Sequence, residues 1–190
     1  MARDGTHAKL AYDWYGSWTT LYSLYADALL CFHPSITSNE AFFSLSDTTP
    51  APPTRPQPMN PHGQRPLQFT SPPAALNTES DFIPHDIYVN QSNYYAVVMQ
   101  RYGLPLDSRH LYTKSDWEFE AAAVAEPRTR KIILDRVAKW INETSTDRPL
   151  TDLYDTEGDG GFPEIYFMAR PVVGGHFAFL ALERACGRSG

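Results

Sequence analysis

Two cysteines, Cys31 and Cys186, are all that this 190-residue chain contains. No pair of Cys or His has the spacing and helical context of zinc ligands, so no metal is expected. Two thiols so far apart in sequence can form one disulfide or stay free; the default expectation is two unpaired residues. Basic charge is short as well, with 16 Lys and Arg against 22 Asp and Glu, a formal net charge of −6. That balance argues against nucleic-acid or acidic-membrane partners, which select a basic face. No segment approaches the ~20 apolar residues of a membrane-spanning helix. The opening MARDGTHAKLAYDW has no apolar run either, so it reads as neither signal peptide nor anchor.

What is present fits about one domain with a sizeable core. Aromatics make up 13% of the chain, which suits either an aromatic core or a ligand-facing surface. Two glycosylation sequons occur, Asn90-Gln91-Ser92 and Asn142-Glu143-Thr144. Triplets of this kind arise often by chance and point only weakly to secretion.

Along the chain, residues 1–15 lack a period. Trp18, Leu21, Leu24, Tyr25, Ala28, Leu29 and Phe32 then recur at helical steps, with Ser17 as N-cap and His33-Pro34 as the stop. Nine prolines fall between Pro50 and Pro73 among Ser, Thr, Gln and Asn. Such a segment lacks the apolar area to offset about 1–2 kcal/mol of backbone entropy per residue, so disorder is expected over 37–80. A second helix is expected from His85 or Asp86 to Tyr102, closed by Gly103 at C′ and Pro105. Ser115-Asp116-Trp117-Glu118 has capping-box spacing and opens a third helix with a small Ala face. Pro127 opens a fourth, over about 128–143, burying Ile133, Val137, Trp140 and Ile141, with Arg130 among the residues facing water. A fifth runs over about 176–185, with Phe177, Leu180, Ala181 and Arg184 on one side. A strand is conceivable only at Ile165–Met168.

Two polar loops stand out between these helices. Tyr102–Glu118, YGLPLDSRHLYTKSDWE, gathers Asp107, Arg109, His110, Tyr112, Lys114 and Asp116. Chargeable loops held by rigid elements are where binding and catalysis concentrate. Thr151–Gly175 gathers Asp152, Asp155, Glu157, Asp159 and Glu164 before Arg170. Alternating acids from Asp155 evoke a calcium loop, with Gly160 in the sixth position, but the twelfth is Tyr166 and the motif fails. Asp116, beside free helix amides, serves equally as a helix stabiliser, an acid–base group or a grip on a substrate ammonium. Arg109 and Arg170 suit bidentate hold on a carboxylate, or internal pairs with Asp107 or Asp155. His110 is the possible base near Thr113. No Ser-His-Asp or Cys-His set can be assembled from the sequence.

The stretches GSWTTLYSLYADALL, IPHDIYVNQSNYYAVVMQRYGLPLDSRHLYTKSDWE, AKWINETSTDRPLTDLYDT and FMARPVVGGHFAFLAL together resemble the C-terminal part of the fungal glutaminase A family. They cover nearly everything outside the Pro-rich segment. The resemblance implies an all-α fold of about five helices, a partial (α/α) six-hairpin toroid with a disordered Pro-rich insertion. It divides the chain into a first helical segment (1–36), the insertion (37–80) and the remaining hairpins (81–190). It also implies a secreted enzyme that hydrolyses glutamine to glutamate and ammonia, with no cofactor. The leader and β-rich N-terminal region of the same polypeptide are expected upstream of this chain. In the family a short link replaces 37–80, so that stretch reads as translated intron or a mis-joined frame.

The resemblance supplies no settled catalytic set, so roles come from the residues themselves. Asp116, Asp155 and Asp107 are the catalytic candidates. Arg109, His110, Tyr112, Lys114, Asp152 and Arg170 are the candidates for binding glutamine. Two rivals stay open. One is a glycosidase-like toroid with two carboxylates and a platform of Trp14, Trp18 and Tyr112. The other is a truncated product, inactive alone, whose helices leave apolar faces uncovered.

Overall fold

A computed structural model describes residues 1–31, 82–145, 149–163 and 167–186. The Pro-rich stretch 37–80 lies outside these residues, as do Glu164 and part of the strand expected at 165–168. The described residues are mainly helical: α1 (Leu24–Ala28), α2 (His85–Val98), α3 (Ser115–Val124), α4 (Pro127–Glu143) and α5 (Ala178–Cys186). A 3₁₀ segment, Pro171–Phe177, leads into α5. Two strands of three residues, β1 (Tyr112–Lys114) and β2 (Leu153–Asp155), pair antiparallel with Tyr112 opposite Asp155 and Lys114 opposite Leu153. Three residues are too few for period-two alternation to register in a sequence, which is why these strands were not foreseen.

Helix α3 is the piece the others pack around. Ala121, Ala122 and Ala125 belong to a core with Tyr95, Tyr102, Leu104, Ile133, Val137, Trp140 and Tyr154. Ala123 and Val124 face a second core of Leu24, Tyr25, Ala28, Tyr88, Ala178 and Leu182. The small side chains let neighbours approach from both sides. Arg130, expected in water, is buried instead: its Nε donates to Ala122 O at 3.1 Å and Nη2 to Ala125 O at 3.1 Å. A guanidinium there satisfies carbonyls that the end of α3 leaves open. On α4, Pro127 takes the first position as expected, and Ile133, Val137 and Trp140 are buried. Ile141, expected inside, is 64% exposed.

The first helix is much shorter than its periodicity predicts. Residues 17–21 are not helical because their backbone is used elsewhere: Thr20 N–H donates to Leu106 O and Leu21 N–H to Tyr95 Oη, both at 2.8 Å. Ser17 caps nothing; its hydroxyl lies 2.9 Å from the carbonyls of Ala11 and Trp14. Adjacent β-branched Thr19 and Thr20 also weaken helix locally. Helix α2 stops at Val98, so Gly103 is not its C′ residue. Gly103 (φ 147°) instead closes a turn onto Gln100, and a Cβ there would collide with Glu118 Oε1. Helix α5 turns Ala178 and Leu182 inward, leaving Phe177 and Leu180, expected together on one side, 63% and 51% exposed.

Cys31 and Cys186 are joined in a disulfide, with Cα atoms 5.5 Å apart, which corrects the expectation of free thiols. The pairing follows from packing that no local pattern reveals. Helices α1 and α5 both lie against α3, and Tyr25 Oη donates to Ala178 O at 2.7 Å. Replacing both cysteines with serine should lower unfolding free energy by about 2–5 kcal/mol, because the open chain gains conformational freedom when unfolded. An unchanged urea midpoint with an unchanged slope would contradict this.

Candidate functional site

The β1–β2 pair brings the two polar loops together, and Ser115 N–H extends the join by donating to Asp152 O at 2.7 Å. Lys114, Asp116 and Asp152 therefore converge at the start of α3. Lys114 Nζ is 3.3 Å from Asp116 Oδ2 and 3.9 Å from Asp152 Oδ2. Asp152 is fully buried and takes Arg170 side-on: Nε donates to Oδ1 at 2.9 Å and Nη2 to Oδ2. A buried carboxylate needs such a partner, and the fork geometry fixes the guanidinium in orientation. Ala169, in the left-handed region at φ 49°, sets the chain direction just before Arg170. Its N–H is held by Leu150 O at 2.9 Å, and the Arg170 guanidinium also lies 3.8 Å from the Phe167 ring centre.

Asp116 is 6% exposed, and its Oδ1 is buried without a hydrogen-bond partner. A buried carboxylate oxygen left open beside two cations is a place for a donor from a ligand. The 3₁₀ segment presses on this residue: a Cβ on Gly175 would come within 2.7 Å of Asp116 Cβ. Gly175, having no side chain, permits this close approach. The same approach puts His176 Nε2 2.8 Å from Ser115 Oγ. Burial lowers the His176 pKa below its ordinary 6.5, against the opposing pull of Asp116 and Asp152. This Ser–His contact was missed, because 61 residues separate the partners and only the fold joins them. Trp117, stacked on Tyr22 with centroids 3.7 Å apart, lies 5.3 Å from Lys114 Nζ and forms an aromatic wall.

The other predicted residues are engaged in contacts of their own. Asp107 and Arg109 are engaged with each other: Asp107 Oδ1 accepts from Arg109 N–H at 2.8 Å and Nε at 2.9 Å. Burial pushes the Asp107 carboxyl up, but these bonds and the Arg109 charge outweigh it and hold the pKa below 3.8. His110 and Tyr112 stack on one another at 4.6 Å. Asp155 lies in β2 with its carboxyl pushed above 3.8 by burial and by Asp159. Trp14 is 45% exposed, and Trp18 packs edge-on to Tyr94. Among the described residues no three His, Cys, Asp or Glu side chains group as metal ligands would. The acidic run from Asp155 is a tight turn, with Gly160 N–H donating to Glu157 O at 3.1 Å.

The capping box does not form. Lys114 occupies the N-cap position and its side chain caps no helix amide, Ser115 faces His176, and Glu118 reaches across to accept Leu104 N–H at 2.5 Å. Glu118 is 1% exposed and lies beneath the site.

The described residues thus form a mainly helical protein with a polar cluster where two loops meet at one helix end. Comparison gives the family. Residues 74–180 match the glutaminase A six helical-hairpin domain. A probable glutaminase of Arthroderma benhamiae is 58% identical over 186 residues, 98% of this chain and 19% of that protein. Glutaminase A of Aspergillus oryzae is 50% identical over 103 residues, 54% of this chain and 15% of that protein. The chain belongs to the glutaminase A six helical-hairpin family, and it spans about a fifth or less of these relatives' length. No solved structure matches it.

Burial raises the Glu118 pKa well above 4.5, against the Leu104 N–H that favours the ionised form. The unfolded carboxyl ionises near 4.5 while the folded one keeps its proton to higher pH, so stability falls as pH rises between those two values. Glu118→Gln should flatten that decline and leave the slope elsewhere unchanged, as read from urea unfolding at a series of pH values. An identical decline in the variant would contradict the assignment.

Proposed function

We propose that this chain forms part of a secreted amidohydrolase that converts glutamine to glutamate and ammonia. In this reading its helices supply the last hairpins of an (α/α) toroid whose remaining helices, with a β-rich region, come from the rest of the polypeptide. The observation that carries the reading is the Lys114–Asp116–Asp152–Arg170 cluster in a chain of the glutaminase A family. Glutamine offers an ammonium, a carboxylate and an amide. The open Oδ1 of Asp116 suits the ammonium or an attacking water, and Lys114 and Arg170 suit the carboxylate. Asp152 orients both cations. Asp155, Asp107, Arg109, His110 and Tyr112 then shape the strands and loop around the cluster without touching the amide. Tyr12, Tyr15, Phe82 and Val97, each more than three-quarters exposed, fit faces covered by other parts of a longer protein. The isolated chain is inactive on this account.

One observation favours a second reading. The Tyr22–Trp117 stack beside two carboxylates resembles a sugar platform, as a glycosidase would use. A chimera decides between them: this sequence replaces the matching fifth of the Arthroderma relative, which is assayed on glutamine and on a glycoside panel. Glutamine turnover is expected, with Asp116→Asn lowering kcat by about 100-fold or more and Asp155→Asn leaving most of it. Near-normal turnover in Asp116→Asn would overturn the role of Asp116, and glycoside cleavage without glutamine turnover would favour the rival.

A further inference from the structure

We infer that Asn142 carries an N-linked oligosaccharide, whereas Asn90, the asparagine of the other Asn-X-Ser/Thr triplet, does not. The inference rests on the secretory part of the proposed function; Glu143 and Thr144 have partners of their own, Arg101 at 2.9 Å and Asp159 O at 3.3 Å, and it is the placement of the two asparagines that separates the triplets. Asn142 lies in the last turn of α4 and is exposed. Nine residues beyond Ile133, at about 100° per residue, it stands half a turn away from the face that Ile133 and Trp140 bury. Nothing in the described structure uses its side-chain amide. A bulky, hydrated group attached there meets water rather than protein.

Asn90 is placed the opposite way. Its Nδ2 donates to Gly5 O at 3.2 Å, and this is the atom a glycan would occupy. The two residues that complete its triplet, Gln91 and Ser92, are buried at 0% and 1% exposure. Gln91 Oε1 accepts Ala8 N–H at 2.8 Å, and His7 stacks on Tyr94 at 4.1 Å. The segment around residues 5–8 therefore lies across Asn90, and an oligosaccharide there would have to displace it.

The Cys31–Cys186 disulfide is the independent observation. Disulfides form and persist in the oxidising compartments of the secretory route, where asparagine transfer also takes place. The co-reactant is a lipid-linked oligosaccharide diphosphate. Asn142 Nδ2 forms a bond to the first sugar carbon and loses one proton, while that carbon's bond to the diphosphate breaks and the lipid diphosphate leaves with the electron pair.

The test expresses the full 190 residues behind a heterologous cleavable leader in yeast, so that entry into the secretory route does not depend on the native leader. Total leader-processed chain, retained or secreted, is digested and mapped by mass spectrometry before and after peptide-N-glycosidase. The expected result is conversion of Asn142 to Asp by the glycosidase, an unmodified Asn90, and loss of the glycan in Asn142→Gln but not in Asn90→Gln. An unmodified Asn142 on leader-processed chain overturns the inference, as does a glycan found at Asn90. Occupancy here combined with no glycan on the protein from its native source would fault the secretory reading and leave the site itself standing.

Discussion

The pairing of Tyr112–Lys114 with Leu153–Asp155 is the contact on which the rest of this structure depends. Without it, one polar loop ends at α3 and another wanders between α4 and the 3₁₀ segment. With it, Asp152 is fixed beside Lys114, and its carbonyl accepts Ser115 N–H, an amide that the first turn of a helix otherwise leaves open. Asp152 then positions Arg170 through two parallel bonds. A three-residue sheet is weak alone. Here it is buttressed by Thr113 and Tyr154, which are buried, and by the stack of Tyr154 on Trp140 at 3.7 Å.

Charge balance in the cluster follows from this arrangement. Two carboxylates face two cations, so each charge in a poorly hydrated place has a partner of opposite sign. Within the four-residue cluster, Asp116 Oδ1 is buried without a hydrogen-bond partner, and beneath it Glu118 Oε2 is in the same position. Below, Glu118 and Tyr154 fill the space under the Gly103 turn, where no side chain larger than hydrogen fits. The site thus rests on a floor of packed polar groups rather than on loop backbone alone.

Much of the helix content was legible because periodicity and punctuation agreed. Pro127 at the start of α4 and the Ile133, Val137, Trp140 spacing allowed one reading. Legibility failed where tertiary partners overrode a local signal. Ser17–Leu21 kept a helical rhythm yet gave its amides to Leu106 and Tyr95. Ser115 and Glu118 had capping-box spacing, but His176 and the Leu104 amide competed for them and won. Arg130 looked like a surface cation because its partners, the carbonyls ending α3, are not encoded by side-chain identity. At the site, the residue types were readable and their grouping was not. Which acid meets which cation is set by a strand pair too short to see, and the Cys31–Cys186 bond by helix packing across the whole chain.

Through this short sheet the two polar loops form one rigid unit. Amide hydrogen exchange at Ser115 tests it most directly, because a first-turn amide has no partner within its own helix. Ser115 N–H should be protected to a level comparable with the interior of α3. Exchange at the rate of a free amide, with α3 itself protected, would contradict it.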